Sequence, residues 1–446
     1  MQSSHSVLIN YVDNTIFMNK FALRWNFSSL MTATLLTLPL WVLVAHIFIP
    51  GNENWNHLLQ NVLQEYITNS ILLMTGVAIG TLVLGVTTAW LVSHYKFFGS
   101  RWLHWALLLP LAMPAYIIAY TYTGLLEFEG PVQSYLRWLV GPEISQVFPE
   151  IRSLGGAILI FSFVLYPYVY LLGRSAFGSH TIHALEVSRT LGAGPFKSFF
   201  RIAIPMARPA LIAGITLAMM ETLADFGAVQ HFSVDTFTTG IFRTWSGLGD
   251  TTTAIQLSLV LLTFVTILIT LERWSRKQQQ YFSGSSQYKK SDLIELTGKK
   301  NLLAFIACFT PIVFGFILPS LQLLTWSVTT AETQLNGHFL TLSFNSLILA
   351  SSTALIAVCL AIFLNYAKRL HPNRSMKLSV QFAHLGYAVP GTVLAIVVLV
   401  PLAWFDHRLD TFLSEHFQIS SGLLLSGSLF ALIFAYVVRF MSVSCK

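Results

Sequence analysis

Very little of this sequence is charged: Asp, Glu, Lys and Arg make up 10% of its 446 residues. A soluble domain carries about 25%, so this chain cannot build a water-facing shell of ordinary size. Cysteine is almost as sparse. The three present, Cys308, Cys359 and Cys445, show no C-x-x-C spacing and no even framework, which excludes a thiolate metal knuckle and a disulfide scaffold. A phosphate-binding loop is also missing. The nearest stretches are LGAGPFKS at 191–198 and TGKK at 297–300. In the first, Phe196 stands where the glycine before the lysine is required; in the second, Lys300 replaces the magnesium-binding hydroxyl. Any ATP-driven motor must be a separate protein, and no cofactor is expected.

What is abundant is apolar sequence, 54% of the chain, gathered into long runs. Runs of about 20 apolar residues cross a bilayer as helix. Ten are present, at 31–49, 69–93, 103–125, 155–173, 209–228, 253–271, 302–325, 345–366, 379–404 and 422–441. They are too long and uniform for barrel strands, which predicts an all-α polytopic membrane protein. With the N-terminus inside, Arg137, Arg152, Arg243 and Arg408 face outward and the other 22 of 26 Lys and Arg lie on the inner side or at the membrane ends. This positive-inside bias accounts for the net charge of +7 and argues against nucleic acid as a partner. The outer loops are acidic, with Glu127, Asp235, Asp250 and Asp406 among the outward carboxylates. Such a face suits a basic partner or cations, although exclusion of bases alone also leaves acidic loops. The first run lacks a small-residue cleavage pattern and reads as an uncleaved anchor in the inner membrane.

The chain reads as an internal duplication at an offset of 276. That offset pairs Asn69-Ser70 with Asn345-Ser346, Arg101 with Lys377, and Ala112-x-Pro114 with Ala388-x-Pro390. Prolines inside spans forfeit a backbone hydrogen bond, so matched prolines suggest one plan used twice, as in many transporters. Between the halves, 273–301 contains RWSRKQQQYFSGSSQYKK and reads as an inner linker.

One inner loop is too patterned to be a simple connection. Residues 184–214 read ALEVSRTLGAGPFKSFFRIAIPMARPALIAG. The pattern predicts a short helix over 182–191, a break at Gly192, Gly194 and Pro195, a second short helix over 196–202, and a span started by Pro205 and Pro209. The result would be a compact knob on the inner surface. This stretch resembles the coupling motif of binding-protein-dependent ABC importer permeases: Glu-Ala-Ala, three residues, Gly, nine residues, Ile-x-Leu-Pro. Glu186, Gly192, Ile202 and Pro205 stand at the family spacing, while Val187, Ser188 and Ile204 depart mildly from it. The resemblance implies that the knob docks on a separate ATPase, with Gly192 as elbow, Glu186 as polar contact and the apolar residues as docking face. Without the resemblance, Glu186 and Gly192 merely shape a loop. A second stretch, 219–250, resembles ferric-iron importer permeases in its Glu-Thr-Leu-x-Asp-Phe-Gly and Asp-Thr-Phe-Thr-Thr-Gly runs. Relatives on the same plan carry thiamine, spermidine or sulfate.

Glu221 and Asp225 are the carboxylates deepest in a predicted span, four apart and hence on one helical face. A carboxylate near the bilayer centre costs about 2.5–3.5 kcal/mol on insertion scales, so such acids face an interior or a pathway. Hard cations prefer oxygen ligands, and Glu221, Asp225 and His231 could line a transient metal route, with phenols from Tyr116 and Tyr120. The competing reading is an interhelical hydrogen-bonding pair, with the tyrosines as belt or core.

The resemblance implies two fused halves of the type I importer fold: 1–272 with the coupling loop 184–205, the linker 273–301, and 302–446. A complete duplication would place a second coupling motif near 456–462, so ten spans of an expected twelve are read, with the second half incomplete. The partners implied are two copies of a separate ATPase, a periplasmic substrate-binding protein and the lipid bilayer. The competing classes are a gradient-driven secondary transporter or cation channel, and a truncated permease that transports nothing.

Overall fold

The computed structural model describes residues 27–179, 182–277, 293–370, 374–383, 386 and 389–444. Most of linker 273–301, the side chain of Glu186, and Cys445 lie outside the described residues. The described chain is almost wholly helical. In order its helices are α1 (Phe27–His46), α2 (Glu53–Asn61), α3 (Leu63–His94), α4 (Ser100–Ala112), α5 (Ala115–Leu126) and α6 (Pro131–Val140). There follow α7 (Leu154–Ser179), α8 (Ile182–Thr190), α9 (Pro195–Ala224), α10 (Gly227–His231), α11 (Phe237–Phe242) and α12 (Thr251–Lys277). The last are α13 (Gly298–Gln334), α14 (Gly337–Leu370), α15 (Arg374–Ala383), α16 (Gly391–Phe417) and α17 (Leu429–Ser444). Among the described residues eight helices are long and apolar enough to cross a membrane, and nine if α4 and α5 with α6 count as one bent span.

Three expected spans differ from the sequence reading, one of them 422–441, where the shorter apolar helix α17 starts only at Leu429. The run 103–125 is not one helix, because it turns by 89° between α4 and α5. Pro114 sits at the bend in extended conformation (φ −59°, ψ 135°) and starts α5, since a proline disfavours helix in the residue before it. The run 379–404 is replaced by α16, which starts after Pro390 (φ −55°, ψ 147°) and continues to Phe417. Asp406, read as an outer-loop carboxylate, therefore lies within a helix. It is fully buried, and its oxygens accept hydrogen bonds from the Leu425 and Ser426 amides and the Ser426 hydroxyl at 2.7–3.1 Å. The two prolines 276 positions apart thus start helices from the same backbone conformation, and α3 and α14 occupy matching places in the order of elements.

The chain divides into two compact units. The larger comprises Glu53–Arg243 and Val260–Thr333, and the smaller the described parts of Met1–Asn52, Thr244–Leu259 and Gln334–Lys446. This partition is not that of the covalent halves, because 302–333 packs in one unit with 53–243. In the larger unit α3, α7 and α9 form the central bundle. Water does not drive helices together inside lipid, so close backbone approach has to. Gly214 of α9 provides it: a Cβ there would sit 2.7 Å from the Cα of Val169 on α7. Buried hydroxyls on these helices bond back to their own carbonyls, as in Thr81 to Val77 and Thr222 to Ala218, at 2.7 and 2.8 Å. Irregular backbone inside a membrane must also be satisfied. Tyrosines do this here: Tyr166 and Tyr170 donate to Leu107 and His104 of α4 and the turn after it, both at 2.9 Å. Tyr122 donates to Phe314 in a π-helical turn of α13 at 2.6 Å.

In the smaller unit the start of α12 is fixed by Asp250. Its carboxylate accepts the Thr253 amide at 3.0 Å and the Asn52 side-chain amide at 2.6 Å, capping the first turn.

Candidate functional site

The knob begins with α8, which ends on Gly192. At φ +79° this residue is in the left-handed region that glycine occupies without penalty. The amide of Ala193 then donates to the Ser188 carbonyl at 2.9 Å, and that of Leu191 to Val187 at 3.1 Å. This is a glycine-terminated helix end whose last carbonyls are satisfied. Nothing lies within 4 Å of where a Cβ on Gly192 would stand, so conformation, not space, demands the glycine.

Beyond the elbow the structure departs from the expected second short helix and separate span. Pro195 is the first residue of one continuous helix, α9, running to Ala224, a position where its missing N–H costs nothing. A π-helical turn at Phe199–Ala203 interrupts the regular winding. Ile202, half-buried, lies in that turn, and Pro205 follows it, exposed. Glu186 belongs to α8 by its backbone. Around the elbow Val187, Leu191, Phe196 and Phe200 are 58–81% exposed, a concentration of large apolar side chains where α8 ends and α9 begins. Lys197 and Arg201 are exposed beside them.

Two features of the knob were not read from the sequence. Ser188 and Ser198 share a buried 2.9 Å hydrogen bond that ties α8 to α9; the only trace of it was Ser188 standing where the motif has alanine. Phe199 packs on Trp90 of α3, ring centroids 4.8 Å apart, and no local pattern couples positions so distant in sequence.

At the other end of α9 the expectation of two carboxylates on one helical face fails. The helix stops at Ala224 and Asp225 is extended (φ −73°, ψ 136°). Its carboxylate accepts the amides of Ala228 and Val229 at 2.8 and 3.2 Å, and its carbonyl accepts the Thr238 hydroxyl at 2.6 Å. Asp225 therefore caps α10 and pins the chain break. Glu221 lies one turn back on α9, half-buried. The segment after α10 is held by α3: the Asn69 amide donates to the Asp235 carbonyl at 2.9 Å, and the Phe237 amide reaches the Ser70 hydroxyl at 3.5 Å.

The break meets α5 through the aromatic residues singled out above. Tyr116 lies against Gly227, Tyr120 sits tilted between His231 and Trp326 at 5.7 and 5.3 Å, and Thr123 bonds to His231 Nε2 at 2.6 Å. Burial, and next the Arg152 charge, hold the His231 imidazole below its ordinary pKa. Tyr116 and Tyr120 are each 56% exposed. Among the described residues no group of three or more His, Cys, Asp or Glu side chains is gathered as a metal site. Tyr116, Tyr120, His231 and Asp225 share one neighbourhood without forming a closed coordination shell.

A family of binding-protein-dependent transport system inner membrane components matches residues 81–277, a stretch that contains both the knob and the polar break. That stretch is similar to the family. The Fe(3+)-transport system permease protein FbpB 2 of Haemophilus influenzae is 28% identical over 336 residues, covering 74% of this chain and 62% of the relative. The molybdenum transport system permease protein ModB of the same organism is 27% identical over 208 residues, 45% of this chain and 87% of the relative. The sulfate transport system permease protein CysT of Escherichia coli is 29% identical over 147 residues, 33% of this chain and 50% of the relative. The chain spans 62% of the length of the iron permease it matches. The matched family is one of inner membrane components, in keeping with the many long apolar helices described above.

Proposed function

We propose that this chain is the permease subunit of an ATP-driven importer, and that its cargo is ferric iron handed over by a periplasmic binding protein. The observation that carries the reading is the knob. A gradient-driven carrier has no use for an inner elbow presenting Val187, Leu191, Phe196 and Phe200 to water, where exposed apolar area of this kind marks a protein interface. A separate ATPase, two copies per transporter, docks on this surface and converts nucleotide-driven closure into movement of α9 and the helices packed on it. Gly192 forms the elbow, Ile202 and Pro205 belong to the helix that receives the push, and Glu186 supplies a polar contact. The two covalent halves, 1–272 and 302–446 joined by 273–301, act as fused permease halves.

The iron assignment is supported by the 336-residue match to an Fe(3+) permease and by the oxygen-rich chemistry at the break. Phenols of Tyr116 and Tyr120 and the carboxylate of Glu221 are hard donors suited to a ferric ion in passage, and Asp225 holds the backbone that positions them. Uptake of radiolabelled ferric iron, molybdate and sulfate into cells lacking their own importers, with the neighbouring ATPase and binding-protein genes co-expressed, tests the proposal. ATP-dependent accumulation of iron alone supports it. Accumulation of an oxyanion instead overturns the cargo, and uptake that ignores the ATPase but follows an ion gradient overturns the class.

A further inference from the structure

The π-helical turn at Phe199–Ala203 falls at a mechanical boundary. On its far side α9 is locked: Ala207 is fully buried, and Gly214 lies against the α7 backbone. On its near side the helix belongs to the knob, where Phe196 is exposed and Ser198 is bonded to Ser188. The turn itself is a consequence of sequence. Pro205 has no N–H, so the carbonyl of Arg201, four residues earlier, loses its helical donor, and Pro209 does the same to the carbonyl of Pro205. The amide of Ile204 accordingly reaches back to Phe199, five residues away. Sharp helix bends concentrate at prolines and π turns, and π turns recur at functional sites.

Trp90 bears directly on this turn. Trp90, in the last turns of α3, is stacked on His94 at 3.8 Å and meets Phe177 of α7 edge-on at 5.4 Å. It also meets Phe199, the first residue of the π turn, at 4.8 Å. Trp90 is thus braced by two helices of the locked bundle and pressed on the turn.

Building on the coupling reading above, we infer that the π turn Phe199–Ala203 is the joint on which the knob swings relative to its span. Trp90 is a positioning residue that fixes the resting angle of that joint through Phe199. Rocking the knob requires the Phe199 ring to slide over Trp90. The prolines keep the turn soft enough to move, and the indole keeps it from moving without a push. Shrinking Trp90 leaves the knob loose, so ATP is consumed without moving the span. Replacing Pro205 restores a donor for Arg201, stiffens the turn and has the opposite effect on mobility.

The test uses the full chain in nanodiscs, with native cysteines replaced and spin labels at Phe196→Cys on the knob and Gln230→Cys on α10, both exposed positions. The interspin distance distribution should broaden in Trp90→Ala, return toward the original width in Trp90→Phe, and narrow in Pro205→Ala. In proteoliposomes with the ATPase, Trp90→Ala should retain ATPase binding while transport per ATP hydrolysed falls roughly two- to thirtyfold, the range of coupling-network substitutions. Unchanged distributions in all three variants overturn the joint, whether or not an ATPase binds. Broadening without loss of coupling overturns the role of Trp90. Absence of any ATPase association with the unmutated chain overturns the coupling reading instead, while the distance widths still decide the joint. If Trp90→Ala fails to fold, Trp90→Phe and Pro205→Ala carry the comparison.

Discussion

Replacing Gly192 isolates the conformational requirement of the elbow. At φ +79° an L-residue with a side chain pays a left-handed penalty of roughly 1–2 kcal/mol. If the elbow relaxes, the Ala193-to-Ser188 hydrogen bond is lost as well, worth about 1 kcal/mol. Nothing within 4 Å adds a clash, so the total is about 2–3 kcal/mol, a roughly 30- to 150-fold shift toward the open elbow. The site lies outside the bundle core, so the membrane part should keep its melting temperature. Gly192→Leu is therefore expected to insert normally, bind the ATPase weakly and lose most uptake. Gly192→Asn, which tolerates the left-handed region, should retain most of both. The assay is ATPase co-purification together with uptake, referenced to membrane abundance. Normal uptake in Gly192→Leu would refute the elbow. Equal defects in Asn and Leu would refute the φ argument, since bulk at the docking face would then be the cause.

At the break, Asp225→Ala should remove the α10 cap at a cost of about 1 kcal/mol and lower abundance, while Asp225→Asn keeps both; loss of uptake in the Asn variant at full abundance would make the carboxylate charge part of the path. Glu221→Gln should lower iron uptake without lowering abundance, and unchanged uptake would remove Glu221 from the route. Cysteines at Lys197 and Glu143, both exposed, should react with an impermeant reagent from opposite faces, and same-side labelling would overturn the orientation. The two-residue parallel ladder Tyr95–Lys96 with Ile294–Glu295 carries a Lys96–Glu295 ion pair at 2.5 Å. The hydrogen bond to Lys96 lowers the Glu295 pKa, and the same bond raises that of Lys96. The pair therefore contributes between the two titrations: its support is lost as pH falls through the depressed Glu295 value, and as pH rises through the raised Lys96 value. Amide-exchange protection of 294–296 should follow that window and become flat at its acid edge in Glu295→Gln.

Which features were legible in the sequence follows from how local their causes are. The spans were read from apolar runs, and most runs match helices, although eight or nine candidate spans stand among the described residues where ten were read. At two places where runs and helices part, a proline is responsible: Pro114 breaks an apolar stretch that hydropathy joins, and Pro390 delays a helix that hydropathy starts early. Hydropathy scores transfer into lipid and is blind to φ. The elbow at Gly192 was legible because a glycine flanked by a helix and Pro195 has few conformations open to it. Asp225 was misplaced for the opposite reason. Its i, i+4 relation to Glu221 holds only while the helix continues, and the helix ends because Asp225 itself offers a better partner to the amides of Ala228 and Val229. Asp406 shows the same effect, with a carboxylate counted as solvent-facing because the loop that saturates it lies about 20 residues further on. In both cases the polar group creates the irregular backbone that satisfies it. Inside a membrane, an acid beside a Gly, Ser or Thr-rich stretch is thus better read first as the anchor of a helix break, and as a pathway residue only where its oxygens remain unspent. By that criterion the hard donors at the break are the phenols of Tyr116 and Tyr120, exposed on α5, more than the carboxylate of Asp225.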